Sequence, residues 1–235
     1  MRRNRVAAAV GFAAVLSAVL SACTEEPAPT ARTFDTPQAL AEANRVAAEA
    51  KRSVTVDVDL ATGGKGSCGL RTEDFAASCR ISVAGALEVA YVMVPDGIFM
   101  RVPQGPATRA DKPWLRIDPD DPDSALARAM GGVAVRVRDA ADLRKALPEG
   151  ARIVAKAEES LSGKHTVHYT AHVTVDGRPS VLELWVDDED LPVKTETRTP
   201  VEGGDEARVV ASYRDWGGPV EITPPTPDEV GELPS

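Results

Sequence analysis

Three histidines, His165, His168 and His172, are spaced three and four residues apart, as zinc ligands often are. On a helix, His168 and His172 would share a face and could bind one ion. The surrounding segment, HTVHYTAHVTV, alternates polar and apolar residues, and this period of two predicts a strand. In a strand the two histidines lie about 13 Å apart, at roughly 3.3 Å per residue, which is too far for one ion. We therefore predict solvated strand histidines and no metal site.

Two other motifs that could support chemistry lack residues that the chemistry requires. The aspartate-rich segment 118–123 could bind calcium through its oxygens, but it lacks the central glycine and the closing glutamate of an EF-hand loop. The segment GGKGSCG is not a phosphate-binding loop, because no GK[ST] leads from a strand into a helix. Its Ser67 is not in a G-x-S-x-G elbow, because position 65 is a lysine. No nucleophile with a nearby base can be named for a hydrolase, so we predict no catalytic residue and no cofactor.

Cys23 follows a basic N-terminal segment and seventeen residues without a charge. This arrangement is typical of a secretory signal, and the apolar run is marginal for spanning a bilayer. The sequence Leu20-Ser21-Ala22-Cys23 resembles the bacterial lipobox, in which the cysteine is lipidated and becomes the first residue. The resemblance implies a diacylglyceryl thioether, usually with an amide-linked third chain; the alternative is a short membrane anchor with an incidental cysteine. We predict a signal peptide at 1–22, a lipid anchor on Cys23 with a tether at 23–34, and a location on the extracytoplasmic face of the cell membrane.

Cys68 and Cys79 are the other two cysteines of the chain. They are eleven residues apart, too far for a CxxC redox or zinc motif, and disulfides persist in exported proteins. A bridge that closes this loop would stabilise the fold by roughly 3 kcal/mol. We predict a structural disulfide, with two free thiols as the alternative.

Composition favours one acidic globular domain. Without residues 1–22 the chain has 213 residues, with 24 basic and 36 acidic side chains and a net charge of −12. This charge argues against nucleic acid as a partner and against electrostatic docking on anionic lipid. We predict a domain at 35–224 and a disordered, proline-containing tail at 225–235.

Hydrophobic periodicity predicts about eleven strands with few helices. The first helix begins after Thr36, a suitable N-cap, with Pro37 at its first position. Residues 119–148 predict a helical insertion of two helices, with Asp139 as an N-cap and the segment VAVRVR ambiguous between them. GGKGSCG is expected to be a loop, and Pro95-Asp96-Gly97 predicts a hairpin turn. An antiparallel sheet with one apolar face must cover that face, and the helices could do so tightly or leave a cavity.

The C-terminal segment YRDWGGPVEITPP resembles the ending of the LppX/LprAFG family of actinobacterial lipoproteins, in which such a segment closes the sheet as a strand. The segments VPDGIFMRV, KPWLRID, GKHTVHYTAHVTV and LELWVDDEDLPVKTE agree in order, so the resemblance covers about residues 36–225. It implies an α+β fold, an antiparallel half-barrel of about eleven strands with helices covering the concave face, similar to the LolA/LolB carriers. The disulfide and the glycine-rich loop are not part of the family pattern.

The resemblance also implies a cavity for an acylated lipid or glycolipid. It would be lined by apolar residues of one sheet face: Val56, Val58, Leu87, Val89, Tyr91, Met93, Leu182 and Leu184. The alternative is that these residues form an ordinary core.

Two functions follow from these alternatives. The first is a non-enzymatic lipid carrier, tethered near a donor membrane or a transporter, whose covering helices move about Gly131 and Gly132. The second is a structural or interaction lipoprotein with a filled core that binds a protein partner such as a transporter or a sensor.

Overall fold

A computed structural model describes residues 31–231, except 61–62, 84–86, 102–110, 119–120, 122–123, 202 and 205. The predicted signal peptide, the lipid anchor on Cys23 and most of the tether lie outside the described residues, as do residues 232–235. No helix within the described ranges is long and apolar enough to cross a membrane.

The domain is built on one twelve-stranded sheet. Its order is β12-β6-β5-β4-β3-β2-β1-β11-β10-β9-β8-β7, and all neighbours are antiparallel except β6 and β12. The edge strands β7 and β12 do not meet, so the sheet stays open, and the predicted α+β half-barrel is confirmed. The strands are β1 Ser53–Leu60, β2 Lys65–Arg71, β3 Ala76–Val83, β4 Leu87–Val94, β5 Gly97–Arg101, β6 Trp114–Ile117, β7 Arg152–Leu161, β8 Lys164–Val175, β9 Arg178–Asp187, β10 Pro192–Pro200, β11 Glu206–Arg214 and β12 Val230–Gly231.

In the described part of the chain, three α-helices pack on one face of this sheet, here called the inner face. Helix α1, Pro37–Lys51, begins as predicted, because the Thr36 side chain accepts a hydrogen bond from the Ala39 amide at 3.2 Å. Helix α2 is Ala125–Asp139 with Ser124 as its N-cap, and α3 is Leu143–Ala146 with Asp142 as its N-cap.

The helical insertion differs from its prediction. Residues 131–138 continue α2 without a break, so the ambiguous VAVRVR segment is helical and Asp139 ends a helix instead of starting one. Val133 and Val137 are one helical turn apart and pack on the sheet. Burial of this stripe overrides the weak helix propensity of β-branched residues.

The sequence predicts a loop for the glycine-rich segment, and this prediction is wrong from Lys65 onward, because Lys65–Arg71 is strand β2. It pairs with β1 on one side and β3 on the other, with Cys68 directly opposite Cys79. Gly69 lies on the outer face, where a side chain of Val220 packs over it; a Cβ on Gly69 would be 3.4 Å from that side chain. Cross-strand pairing and close packing therefore decide the structure of this segment.

The C-terminal segment also differs from its prediction. Residues 220–223 do not form a strand, and the chain after β11 passes over the outer face toward β6. There Pro227–Glu229 forms a 3₁₀ turn, in which Thr226 and Glu229 cap each other, and Val230–Gly231 adds β12 to the sheet edge. The prediction of a disordered tail is thus wrong for residues 225–231.

Buried apolar residues form two separate clusters on the inner face. The α2 cluster joins β1–β6 and β11 to α2, and its members include Val54, Val56, Leu70, Met93, Ile98, Met100, Leu115, Ile117 and Tyr213. The α1/α3 cluster joins β8 and β9 to α1 and α3, and its members include Leu40, Leu143, Leu147, Val167, Tyr169, Leu182, Leu184 and Val186.

Candidate functional site

The residues predicted to line a cavity share the inner face but are divided between the two clusters. Val56 and Met93 are each 1% exposed inside the α2 cluster, and three others pack at its margin: Val58, Val89 and Tyr91. Leu182 and Leu184 are buried in the α1/α3 cluster, and the Leu87 side chain lies outside the described part of the chain. The described members of this set are thus divided between the two clusters, and their role in a ligand cavity stays a prediction.

The α1/α3 cluster is closed by a buried polar contact. Asn44 on α1 is fully buried; its side-chain nitrogen donates to the Asp190 carbonyl at 3.3 Å, and its side-chain oxygen accepts from the Leu143 amide at 3.3 Å. One side chain thus joins α1, α3 and the turn between β9 and β10. A buried polar group is costly to leave without a partner, so this contact holds α1 and α3 against the sheet.

The segment before α1 is fixed on the same cluster. The Tyr169 hydroxyl accepts a hydrogen bond from the Phe34 amide at 3.0 Å, and Arg32 pairs with Asp190. Burial raises the pKa of Tyr169. The chain therefore covers β8 and β9 with two helices and an extended segment.

The α2 cluster is covered by helix α2. Val133, Ala134 and Val137 supply small contacts to the sheet, and the Tyr213 hydroxyl donates to the Ala140 carbonyl at 2.8 Å at the end of the helix. Two glycines, at 131 and 132, each lower helix stability by about 1 kcal/mol relative to alanine. Helix α2 thus depends on packing against the cluster for its structure.

A disulfide stiffens the sheet beneath α2. Cys68 and Cys79 are bonded to each other across β2 and β3, and both side chains are buried in the α2 cluster. The bridge therefore fixes the strands that the helix covers.

A cleft of about 390 Å³ lies where α1, the β2–β3 turn and the α2–α3 connection meet. Leu70, Phe75 and Ala141 line it and also belong to the α2 cluster or pack against it. Ala48 of α1 forms part of the opposite wall. Leu70 and Ala141 are buried and Phe75 is partly exposed, so the cleft adjoins the α2 cluster at these three side chains.

Charged side chains surround the apolar part of the cleft. Five are cationic, and they are Arg45, Arg71, Arg138, Arg144 and Lys145; three are acidic, and they are Glu49, Asp139 and Asp142. Each arginine has a carboxylate partner, and the Arg144 guanidinium beside Asp142 lowers the pKa of that carboxyl. An apolar interior with a charged rim is suited to a molecule that has an apolar and a polar part.

The histidines lie away from this cleft, on β8. His168 is on the outer face, where its ring stacks on Trp185 at 4.1 Å and its Nε2 lies 2.8 Å from a Glu183 oxygen. His168 therefore takes part in side-chain contacts between β8 and β9 on the outer face of the sheet.

The rim cations were not predicted from the sequence. Arg71 is on β2, Arg138 on α2 and Lys145 on α3, and they approach one another only because the sheet and the insertion fold together. The only local signal is that Arg138 and Lys145 stand in helix-terminal turns of the insertion, which does not identify Arg71 as their neighbour.

Comparison with solved structures finds similar folds at low sequence identity. The lipoprotein LppX from Mycobacterium tuberculosis has a TM-score of 0.49 and 15% identity, over 80% of this chain and 100% of that chain. MucB in complex with MucA(peri) has a TM-score of 0.39 and 16% identity, over 80% of this chain and 59% of that chain. The MucA/MucB complex of Pseudomonas aeruginosa has a TM-score of 0.38 and 18% identity, over 78% of this chain and 59% of that chain.

No protein-family model matches the chain, and no curated protein matches it. The likeness to solved structures concerns the fold alone and assigns no function.

Proposed function

We propose that this protein is a non-enzymatic, membrane-tethered lipid carrier of the extracytoplasmic space, and that the apolar part of its ligand binds between α2 and the inner face of the sheet. The observation that supports this proposal is the cleft, because Leu70, Phe75 and Ala141 connect it to the α2 cluster. The predicted lipid anchor on Cys23 would hold this opening near a membrane that supplies the ligand.

The size of the cleft indicates how a lipid would be accommodated. A volume of about 390 Å³ is at the lower end of the range for ligand sites, so it holds only part of a lipid. An acyl chain that continues into the α2 cluster must displace α2 from residues such as Val56 and Met93. The acyl chain would then pack against these residues in place of the helix, at roughly 25 cal/mol per Å² of apolar surface buried.

The choice of α2 as the moving element follows from how the helices are held. Asn44 ties α1 and α3 to each other and to the β9–β10 turn through buried hydrogen bonds. Val133, Ala134 and Val137 of α2 make apolar contacts that an acyl chain can replace, and the hydrogen bond from Tyr213 to the Ala140 carbonyl holds the C-terminal end of the helix.

The test is native mass spectrometry of the purified mature protein, before and after exposure to phospholipid vesicles. Thr72→Trp would fill the mouth of the cleft, whose wall Thr72 forms. Val135→Trp is the matched control, because Val135 is on α2 but points to solvent and is 46% exposed. We expect lipid adducts on the native protein and on Val135→Trp, and their loss from Thr72→Trp, with all three proteins equally folded by circular dichroism.

A second candidate, an interaction lipoprotein with a filled core, is favoured by the closed packing of Val56 and Met93. A native protein that carries no lipid and takes none from the vesicles would support it and contradict the carrier. Equal lipid loading of Thr72→Trp and the native protein would contradict the cleft as the entrance.

A further inference from the structure

The charged rim of the cleft indicates which head group the bound lipid has. This inference rests on the proposed function. We infer that the cleft binds the phosphate head group of an anionic lipid, with Arg71, Arg138 and Lys145 as its cationic contacts. The acyl chains of the same lipid would occupy the apolar side of the cleft and the space beneath α2.

The placement of charge supports this ligand. The chain as a whole has a net charge of −9, yet the cleft is lined by five cations and three acids. Arg71, Arg138 and Lys145 come from a strand and two different helices, and all three line the same cleft. Arginine forks bind phosphate oxygens in pairs, and lysine adds a point charge.

These three cations are the ones that can be recruited. Arg45 is held by two carboxylates, with nitrogen–oxygen distances of 2.6 Å to Glu42 and to Glu49. Arg144 is held by Asp142, which also caps α3 by accepting from the Arg144 amide at 3.0 Å. Both arginines therefore have structural partners.

The remaining pairs are open to exchange. Arg71 pairs with Asp74, and these two side chains are 41% and 53% exposed. Arg138 is 53% exposed and pairs with its neighbour Asp139. Exposed pairs contribute little to stability, so a phosphate can replace the carboxylates at low cost. Lys145 is exposed and has no ion-pair partner within the described ranges.

The apolar side of the cleft favours a lipid over free phosphate. Leu70, Phe75 and Ala141 lie beside the cations, and a small hydrated anion would leave the partly exposed Phe75 ring in contact with water. An amphiphile uses both parts of the site.

Dioleoyl phosphatidate and dioleoylglycerol make the matched test, because their acyl chains are identical and only the first has a phosphate. Each is offered to the mature protein in the same nonionic detergent micelles, and binding is measured by titration in native mass spectrometry. We expect the native protein to bind phosphatidate at least about tenfold more tightly, which corresponds to one charge-assisted hydrogen bond.

The variant Arg138→Gln/Lys145→Gln removes two rim cations. Arg136→Gln/Arg152→Gln is its control, because both arginines are exposed, one of them on α2, and neither lines the cleft. We expect the rim variant to lose most of the preference for phosphatidate while its affinity for dioleoylglycerol is unchanged, and the control to keep the preference.

Each other outcome contradicts a different step. Equal affinity of the native protein for the two lipids overturns the head-group inference and leaves the carrier function standing. Binding of neither lipid contradicts the carrier function itself. Inorganic phosphate that binds through the same cations as tightly as phosphatidate does would show a free anion site and overturn the assignment to a lipid.

Discussion

The two clusters of the inner face are covered in different ways. Over β8 and β9, the helices α1 and α3 are joined by a fully buried asparagine, and the segment before α1 is hydrogen-bonded to a buried tyrosine. Over β1–β6, the described side chains by which α2 packs on the sheet are alanines and valines, and the Tyr213 hydroxyl donates to the Ala140 carbonyl at the end of the helix. One side of this half-barrel is therefore held by several buried polar contacts that join two helices, and the other by apolar packing with one hydrogen bond at the end of its helix.

The helix sequences reflect the same division. Helix α1 consists mainly of strong helix formers, and Arg45 links Glu42 and Glu49 along its exposed side at 2.6 Å each. Helix α2 contains Gly131, Gly132 and three valines, all of them weaker helix formers. We therefore expect the α2 half to depend on the sheet beneath it, and the α1/α3 half to be stable as a unit.

Removal of the disulfide is expected to have the largest effect on the free energy of unfolding. It should also widen the difference in stability between the two halves. Cys68→Ala/Cys79→Ala should lower the free energy of unfolding by about 3 kcal/mol, because the bridge closes a short loop in the unfolded chain. The loss should appear first in the α2 half, as faster amide hydrogen exchange in β2, β3 and α2. Equal acceleration in β8 and β9 would contradict the independence of the two halves.

Asn44→Ala should weaken the opposite half. It leaves the Leu143 amide and the Asp190 carbonyl without their buried partner, at an expected cost of about 2–3 kcal/mol in the free energy of unfolding. Chemical denaturation measures the cost, and hydrogen exchange should show it in α1 and α3 but not in α2. Val46→Ala, at a 55% exposed site on α1, is the control and should change stability little.

The sheet between the halves carries a cluster of charges around one buried carboxylate. On the outer face of β10, the Glu196 side chain is 5% exposed and lies 2.7 Å from Arg198, 2.8 Å from Arg208 and 3.3 Å from Lys194. Hydrogen bonds from these cations, with Arg208 the strongest contributor, lower the pKa of Glu196 to about 2 from an ordinary 4.5. Because the folded-state pKa is the lower one, the carboxylate contributes stability that is complete above about pH 4.5 and is lost as the pH falls to about 2.

Glu196→Gln should therefore lower stability at neutral pH by about 2 kcal/mol, a figure reduced for the exposure of the two arginines. The deficit relative to the native protein should shrink between pH 4.5 and 2, where the native carboxylate takes up its proton. Denaturant midpoints at about pH 7, 4 and 2 measure this. A deficit that is constant over the pH range would show that Glu196 acts through packing alone.

Much of the fold follows from local pattern. The alternation in β1, β8 and β9, the Thr36–Pro37 start of α1 and the turn before Gly97 are each properties of a few neighbouring residues. The inner face is therefore predictable, because every second residue of a strand shares it.

The errors lie where distant segments decide the structure. Lys65–Arg71 is a strand because β1 and β3 flank it, and α2 runs through VAVRVR because the sheet buries one side of it. Residues 225–231 are ordered because β6 offers an edge. The cleft is also formed by segments that are distant in sequence. Its cations come from α1, from β2 and from the helical insertion, and no local spacing indicates that they meet.

Substitutions at Val135 should have the smallest effect on stability, and they test whether α2 moves when a lipid enters. Val135 is 46% exposed on this helix, so substitutions there change helix propensity with little change in contact to the cluster. Val135→Ala should stabilise α2 by about 0.5 kcal/mol, and Val135→Gly should destabilise it by a similar amount relative to valine. If α2 must move for a lipid to enter, the rate of lipid uptake in stopped-flow fluorescence should fall with alanine and rise with glycine, about twofold each way.

The same exchange at Val46 on α1 should leave the rate unchanged, because α1 stays in place. A rate that responds to α1 and α2 alike would mean that both covers open together, and the comparison between the two halves would then describe their packing but not their motion.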